Sequence, residues 1–270
     1  AMLTKLGHKT AFIGKVGEDF FGEQLRDAIT EVGIDADGLC TDKEVHTTLA
    51  MVHTYPDGDR DFSFYRNPGA DMMLNKEEIC EELIKETKIF HFGTLSMTHE
   101  GVREATKEAI RIAEESGAVI SFDPNLRPPL WNSLDEAKEQ VLYGLAHCHI
   151  LKISDNEIQW LTGEEDYTAG VNWIRERYQI PLILVSMGKE GSRAYYNGTM
   201  VEAKPFLQKN IIETTGAGDT LNGAFSVRIA AGDDMKSALA YANVAASLST
   251  EKFGAQTGMP TAEEVEKEMK

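Results

Sequence analysis

The stretch Glu213-Thr214-Thr215-Gly216-Ala217-Gly218-Asp219-Thr220-Leu221-Asn222-Gly223-Ala224-Phe225 joins a glycine-rich turn to the beginning of an apolar helical pattern. Apolar residues recur at every fourth position from Leu221 and fall on one face of a helix. Gly232 follows the last of them and is a usual residue at a helix end. The pattern therefore predicts that residues 216–218 lie where a helix begins and where backbone N–H groups lack intrahelical partners.

This turn predicts an anion site. Glycine leaves the first helical amides open, so a phosphate can approach them closely, and the helix dipole favours its negative charge. Asp219 lies in the same first turn, where its carboxylate can accept a proton from an attacking hydroxyl. Phosphoryl transfer to an alcohol needs an anion cradle beside such a carboxylate. The residues alone leave an alternative open, a tight turn whose aspartate only complements the helix dipole.

The composition predicts one large α/β domain, or such a domain with a small appendage, and limits its partners. The chain has 270 residues, of which 42% are hydrophobic, and its net charge is −17. This acidic balance argues against nucleic-acid or anionic-membrane partners. An anionic ligand must therefore be held by a local cationic pocket. No apolar run approaches about 18 residues and no signal peptide is visible, so we expect a cytoplasmic protein.

The cysteines indicate neither a disulfide framework nor a zinc site. Cys40, Cys80 and Cys148 are three in number, scattered along the chain, and form no CxxC motif. We expect free thiols in a reducing compartment.

Strand and helix patterns alternate through most of the chain. Strand patterns at residues 89–92, 119–122, 150–153 and 182–185 are separated by helical patterns. One of the helices is predicted from Asn75 through Ile84. The alternation predicts a mainly parallel central sheet with helices on both faces. Asn197-Gly198 adds a hairpin between two further strands.

Residues 39–66 interrupt this alternation. Two strand patterns flank the turn signal at residues 56–59 with no helix between them, so they predict an antiparallel hairpin. We interpret it as a small β lid on a core formed by residues 1–38 and 67–270. An ordinary edge hairpin is the alternative.

The beginning of the chain departs from a complete α/β unit. Residues 1–7 have the pattern of a helix end, and a strand pattern follows at once at residues 10–14. We therefore expect that a preceding strand and most of a helix are absent.

Polar residues follow the predicted strands, and ligands of parallel sheets bind at these carboxyl ends. Arg127 could hold a phosphate or a sugar hydroxyl, or it could pair with Asp123 and brace its own loop. Ser154 and Glu157 form a capping box, and Glu157 could also hold Mg²⁺ through water.

A second glycine-bearing turn spans residues 186–191 and could contact the phosphates or ribose of a nucleotide. It lacks the GxxxxGK[ST] order of a P-loop, and no GxGxxG follows the first strand. A P-loop NTPase and a dinucleotide oxidoreductase are therefore poorly supported.

The order and content of these loops resemble the ribokinase/fructokinase family, the PfkB-type carbohydrate kinases, over nearly the whole chain. The most specific match is residues 214–220. Further matches are residues 14–22, 122–127 with Trp131, and 253–255. Residues 64–71 and 122–127 are most similar to the fructokinase branch.

The resemblance implies a ribokinase-like α/β fold and an ATP-dependent sugar kinase, most similar to a fructokinase. It implies that Asp219 is the catalytic base and that the amides of Gly216, Ala217 and Gly218 form the anion hole. The implied nucleotide-lining residues are Lys152, Ser154, Ser186, Gly188, Gly191 and Asn243.

The resemblance also implies ligands for the sugar and for ions. Arg66, Asn125 and Arg127 would face the sugar or its phosphate. Glu157 would organise Mg²⁺, and a K⁺ ion would lie near Glu213 and Thr215, as in many relatives. Lids of this family often meet across a homodimer, so the resemblance also implies such a dimer.

Two departures from the family pattern leave alternatives open. Glu213 stands where the signature normally has Asp, which affects the implied K⁺ site. The family's Gly-Gly-x-x-x-Asn motif and its early sugar-binding Asp would precede Ala1. The alternatives are a kinase of 2-keto-3-deoxygluconate and a non-catalytic nucleotide-binding remnant, while a ribose or nucleoside kinase is less favoured.

Overall fold

The computed structural model describes residues 1–55, 60–206 and 211–270. The turn predicted at residues 56–59 lies outside the described residues.

A six-stranded sheet forms the centre of the molecule, in the order β10-β9-β8-β7-β6-β5. Its strands are β5 (Ile89–Gly93), β6 (Val119–Asp123), β7 (Ile150–Ser154), β8 (Leu182–Ser186), β9 (Ser192–Tyr196) and β10 (Thr199–Ala203). The first four are parallel, and β9 and β10 continue the sheet antiparallel to their neighbours. Asn197 and Gly198, both with positive φ, form the predicted hairpin turn. The mainly parallel sheet is thus confirmed.

Two smaller sheets stand beside it. Strands β1 (Gly14–Gly17) and β2 (Leu39–Asp42) pair in parallel, while β3 (Leu49–Thr54) and β4 (Arg60–Tyr65) form the predicted antiparallel hairpin. The strand predicted at residues 10–14 is wrong in its bounds. Ala11 makes only an isolated bridge to Asp35, because the partner strand β2 begins at Leu39.

The helices alternate with the strands as predicted. They are α1 (Met2–Lys5), α2 (Phe20–Val32), α3 (Glu81–Lys85), α4 (Glu100–Glu115), α5 (Leu134–His147), α6 (Asp155–Thr162), α7 (Tyr167–Tyr178), α8 (Ala217–Ala230), α9 (Met235–Ser249), α10 (Ala255–Gly258) and α11 (Ala262–Glu268). None in the described part of the chain combines the length and the apolar character needed to cross a bilayer.

The single helix predicted from Asn75 to Ile84 is wrong. A short 3₁₀ turn occupies Lys76–Glu78, and Asn75 and Glu78 close it as a capping box. Ile79 is extended, so the helical pattern restarts only at α3. A capping box favours a helix start, so the break comes after it, where Ile79 leaves the helical conformation and packs into the core.

Each face of the sheet buries its own apolar core. Phe122, Leu151 and Ile183 face one cluster, to which α4, α5, α6 and α7 contribute. Leu184 and Ala194 face the other, to which α1, α8, α9 and α11 contribute. The predicted helices on both faces are confirmed. Phe225, fully buried on α8, anchors the helix that carries the glycine-rich turn.

Candidate active site

The glycine-rich turn opens α8, as the sequence predicts. Gly216 is the N-cap with φ 81°, in the left-handed region, and a Cβ there would lie 3.0 Å from the Cβ of Ala255. Both the backbone conformation and the space therefore favour glycine. Among the described residues, the amides of Gly218 and Asp219 have no hydrogen-bond partner. These open amides and the exposed carboxylate of Asp219 beside them form a cradle that is open to an anion. Of the three amides predicted for it, that of Ala217 instead donates to the carbonyl of Thr214 at 3.3 Å.

A buried ammonium group lies beneath this cradle. Nζ of Lys152 is 3.1 Å from Oδ2 and 3.3 Å from Oδ1 of Asp123, and both side chains are 8% exposed. A Cβ added at Gly218 would lie 3.2 Å from the same Nζ. Glycine at this position thus lets the turn of α8 rest on the lysine. Lys152 is the cation at this place, but its ammonium is already paired with Asp123, so the site is not the cationic pocket expected from the acidic composition.

The carboxylates around Lys152 keep it charged. Burial lowers its pKa, but the nearby carboxylates of Asp123, Glu157 and Asp219 outweigh this effect, so the pKa is raised. Burial raises the pKa of Asp123 to about 6, although Lys152 opposes this shift. At neutral pH the structure therefore holds one buried cation among three carboxylates.

One of the two alternatives for Arg127, a pair with Asp123, is wrong. The two side chains do not pair as the loop-bracing alternative supposed, because Asp123 lies on the face of β6 that meets Lys152 of β7. The guanidinium of Arg127 instead stands 5.7 Å over the ring of Phe62 in β4. Arg127 thus connects the crevice at the sheet edge with the β3–β4 hairpin.

The loop that carries Asn125 and Arg127 is held at several points. Asn125 has φ 46°, and its N–H donates to Oδ1 of Asp123 at 3.2 Å. Oγ1 of Thr94 donates to the carbonyl of Pro124 at 2.6 Å. These contacts fix the two predicted sugar-facing residues at the carboxyl edge of the sheet.

Glu157 joins this loop to α6. Its Oε2 accepts the N–H and the Oγ–H of Ser154, both at 2.8 Å, which completes the predicted capping box. Its Oε1 accepts the N–H of Leu126 at 2.7 Å. One carboxylate therefore connects the predicted metal position with the predicted sugar-facing loop.

Four of the six predicted nucleotide-lining residues, Ser154, Ser186, Gly188 and Gly191, fall at or just after the ends of β7 and β8. Ser154 and Ser186 are opposite each other in register, and the short turn Gly188–Glu190 follows. Gly191 has φ 97°, and a Cβ there would overlap the carbonyl of Ala203. Asn243 is buried on α9 and accepts from Ser192 and donates to the carbonyl of Ala203.

The residues implied for a monovalent cation lie just before the cradle. Glu213 is buried, and its Oε2 accepts the N–H of Gly254 at 2.8 Å. Oγ1 of Thr215 is buried and has no hydrogen-bond partner among the described residues. A buried hydroxyl oxygen without a partner is costly unless something else contacts it.

Arg66 lies away from open space, in a network of its own. Its Nε donates to Oδ2 of Asp71 at 2.7 Å, and its two Nη atoms donate to Oγ1 of Thr98 and to the carbonyl of Leu95. The side chain is 6% exposed. Nothing local in the sequence signals that Asp71 is the partner of Arg66 or that Asp123 is the partner of Lys152.

Comparison with known proteins places this site in a family. The profile described as pfkB family carbohydrate kinase matches residues 1–262. This chain belongs to the pfkB family of carbohydrate kinases. A curated relative, fructokinase-1 of Zea mays, is 38% identical over 270 residues, covering 97% of this chain and 83% of the relative.

Solved structures of pfkB-type kinases agree with the fold. Fructokinase from Vibrio cholerae O395, bound to fructose, ADP and calcium, superposes with a TM-score of 0.88 at 28% identity and covers 98% of this chain and 87% of that one. Fructokinase from Xylella fastidiosa with bound ATP gives a TM-score of 0.86 at 29% identity, over 98% and 86%. The ribokinase-like fold expected from the resemblance is therefore confirmed, and the protein is a carbohydrate kinase.

Proposed function

We propose that this pfkB-family kinase is a fructokinase that transfers the γ-phosphoryl group of ATP to a hydroxyl of fructose. The observation that carries the proposal is the open amide turn of α8, seated on the buried Lys152 with Asp219 in its first turn. The similarity to fructokinase-1 of Zea mays and to the fructose-bound structure from Vibrio cholerae O395 supports fructose as the acceptor.

In the proposed reaction Asp219 accepts the proton of the attacking sugar hydroxyl. Its carboxylate is exposed at the start of α8, so an acceptor can reach it. The resemblance assigns the amides of Gly216, Ala217 and Gly218 to the transferred phosphoryl group. Of these the amide of Gly218 is open, that of Ala217 donates to the carbonyl of Thr214, and the helix dipole favours the charge that develops there. Lys152 adds a fixed positive charge beneath the turn, where burial weakens solvent screening.

ATP would lie along the ends of β7 and β8. Ser154 and Ser186 are partly exposed there, and Gly188 is exposed in the turn that follows. Gly191 and Asn243 would contribute by shaping this turn, since Asn243 ties β9 and the end of β10 to α9. The resemblance assigns all five residues to the nucleotide.

Mg²⁺ fits the donors present if it is held largely by phosphates and water. Within the described residues, no group of three or more His, Cys, Asp or Glu side chains could hold a metal ion alone. Glu157 is the carboxylate that would contact the hydrated ion, because its Oε1 accepts only the N–H of Leu126 and keeps acceptor capacity, whereas Oε2 accepts two bonds from Ser154. The ion would neutralise charge on the phosphates.

K⁺ also fits an observation of this structure. The unpartnered Oγ1 of Thr215 and the carboxylate of Glu213 are oxygen donors immediately before the cradle. We propose that they help to hold the monovalent cation, with Glu213 taking the place of the family's usual aspartate.

The sugar would be enclosed by the 123–127 loop and the β3–β4 hairpin acting as a lid. Arg127 and Asn125 supply polar groups on the loop side, and the stacked rings of Phe62 and Phe64 supply an apolar wall on the hairpin side. The opposite face of the hairpin carries Met51 and Tyr65, 59% and 67% exposed. We propose that this face pairs with a second copy in a homodimer.

Coupled detection of ADP tests the proposal with a panel of fructose, ribose and 2-keto-3-deoxygluconate. We expect fructose to have the highest kcat/KM. Asp219→Asn should lower kcat by about 10²–10⁴, because general-base catalysis is lost, while calorimetry shows ATP binding nearly unchanged.

Asp135→Asn is the matched control, because Asp135 is also an exposed aspartate in the first turn of a helix, at α5. It should leave kcat unchanged. Near-normal turnover of Asp219→Asn would remove Asp219 as the base, and ATP binding without transfer to any sugar would favour a non-catalytic protein.

A further inference from the structure

Two chain segments connect the lid to the core, and we call them the stems: residues 46–48 before β3 and residues 66–71 after β4. The carboxylate of Asp71 joins them. Its Oδ1 accepts the hydroxyl hydrogen of Thr48 on the first stem. Its Oδ2 is 2.7 Å from Nε and 2.6 Å from Nη2 of Arg66 on the second stem.

Arg66 carries this connection into the core. Its Nη1 donates to Oγ1 of Thr98 at 2.8 Å, and its Nη2 donates to the carbonyl of Leu95 at 2.9 Å, just before α4. The guanidinium is nearly buried, whereas the side chain of Asp71 is 40% exposed. The planar fork of donors thus holds the carboxylate of Asp71 through two nitrogens and reaches the core at the same time, a bidentate geometry that the ammonium of a lysine lacks.

The close approach of the two stems depends on a glycine. A Cβ at Gly69 would overlap the hydroxyl of Thr48 and lie 2.8 Å from Oδ1 of Asp71. Nearby, the N–H of Ala70 donates to the carbonyl of His46 at 2.9 Å. The stems are therefore held to each other by backbone and side-chain bonds at the base of the hairpin.

The first stem has a second anchor on the core. Asp19, the N-cap of α2, accepts both the N–H and the hydroxyl hydrogen of Thr47 at 2.8 Å. The hairpin is consequently tied to α2 through Asp19 and to the segment before α4 through Arg66. Between these anchors, Asp71 is the group that both stems share.

We propose that Thr48, Arg66 and Asp71 form a clamp that sets the position of the lid over the sugar site. Arg66 then acts as a positioning residue, and the sugar is held by other groups. The connection to the site is the lid residue Phe62, whose ring lies under Arg127. A tilt of the hairpin at its stems changes that contact and with it the enclosure of the acceptor.

Two variants of the clamp that leave Arg66 untouched provide the main test, and Arg66→Lys is added in the kinetic measurement. Thr48→Val removes the hydroxyl that donates to Asp71, with little change in side-chain shape. Asp71→Asn removes the negative charge that faces Arg66. Thr48→Ser keeps the hydroxyl and should restore wild-type behaviour. Glu136→Gln is the matched control, because Glu136 pairs with Arg103 in a half-buried ion pair outside the stems.

The first measurement is hydrogen–deuterium exchange of backbone amides in peptides that cover the two stems, monitored by mass spectrometry. We expect exchange about tenfold faster in Thr48→Val and Asp71→Asn, since each loses a hydrogen bond that involves a charged group. Peptides from α4 should be unchanged. Glu136→Gln and Thr48→Ser should exchange in the stems at the wild-type rate.

The second measurement rests on the proposed function and uses steady-state kinetics with fructose and ATP. Thr48→Val, Asp71→Asn and Arg66→Lys should each lower kcat/KM for fructose about tenfold, with KM for ATP unchanged. The double variant Thr48→Val/Asp71→Asn should lose no more than the worse single variant, because both substitutions remove the same link.

The results separate the clamp from the kinase assignment. If Arg66→Lys impairs fructose use while Thr48→Val and Asp71→Asn match wild type in kinetics and stem exchange, Arg66 is a sugar ligand and the clamp is wrong. If the wild-type protein phosphorylates no sugar, the proposed function fails, and stem exchange alone decides whether the clamp exists.

Discussion

At the scale of single residues, Lys152 is the group on which the site depends. It is the one cation among three carboxylates, those of Asp123, Glu157 and Asp219, and it lies under an open helix start. The pKa shifts of Asp123 and Lys152 are both consistent with this arrangement. Asp123 is easier to protonate than an ordinary aspartate, whereas Lys152 is harder to deprotonate than an ordinary lysine.

We therefore expect the two partners of this ion pair to respond unequally to substitution. Lys152→Met should destabilise the fold by about 3–5 kcal/mol, because three carboxylates then lose their buried counter-charge. Asp123→Asn should cost much less, since two carboxylates still face the lysine. Urea denaturation at pH 7.5 measures both, and equal losses would contradict this account.

The pH dependence of the Lys152→Met deficit provides a control. In the folded protein the pKa of Asp123 is raised to about 6 from its ordinary 3.8, so stability from its protonated form is lost as pH rises between these values. Without the lysine that pKa rises further. The deficit should be full only above the raised pKa of Asp123 in the variant, should shrink as the pH falls from there toward about 6, and should change little below that.

At the scale of elements, the start of α8 combines backbone strain with close packing. Gly216 and Gly198 both adopt positive φ, 81° and 77°. A Cβ at Gly216 would meet the backbone of Ala255 at 3.1 Å, whereas nothing lies within 4 Å of a Cβ at Gly198. Substitution at Gly198 therefore measures the free-energy cost of a left-handed backbone alone. Substitution at Gly216 measures that cost together with the cost of a steric contact.

We expect Gly198→Ala to destabilise the protein by about 1–2 kcal/mol, the usual penalty for a left-handed residue with a side chain. Gly216→Ala should cost more, because α10 must move as well, and it should also lower kcat by displacing the amides. Thermal and urea unfolding with ADP-coupled assays measure both effects. Equal stability losses and normal turnover for Gly216→Ala would show that the turn tolerates a side chain.

At the scale of the whole molecule, the hairpin presents apolar residues on both faces. Phe62 and Phe64 are on the face that meets Arg127, and Met51 and Tyr65 are on the other. A lid that only covered its own site would need one apolar face. Large exposed apolar side chains on the second face are typical of an interaction surface.

We therefore expect Tyr65→Asp to convert a homodimer into a monomer in sedimentation velocity, because a buried charge without a partner opposes association. Tyr196→Asp is the control, since Tyr196 is 43% exposed on β9, in the central sheet. A wild-type monomer, or a Tyr65→Asp dimer, would contradict a lid-mediated interface.

The structural features that could be predicted from the sequence are those that depend on residues close together in the chain. The hairpin at Asn197-Gly198, the capping boxes of α6 and α11, and the start of α8 depend on residues a few positions apart, and the sequence displays them directly. The helix predicted from Asn75 was wrong for a related reason. Ile79 is extended and packs into the core after the capped turn, a tertiary contact that helical periodicity does not reveal.

The amino-acid sequence by itself determined the alternating α/β class, the position of the glycine-rich turn at a helix start and the family resemblance, because these depend on periodicity and on short motifs. The tertiary structure decided the partners of the charged side chains. Lys152 meets Asp123 across two strands, and Arg66 meets Asp71 where two stems converge. The energy of a charge pair depends on distance and burial, and both are established only when distant parts of the chain pack together.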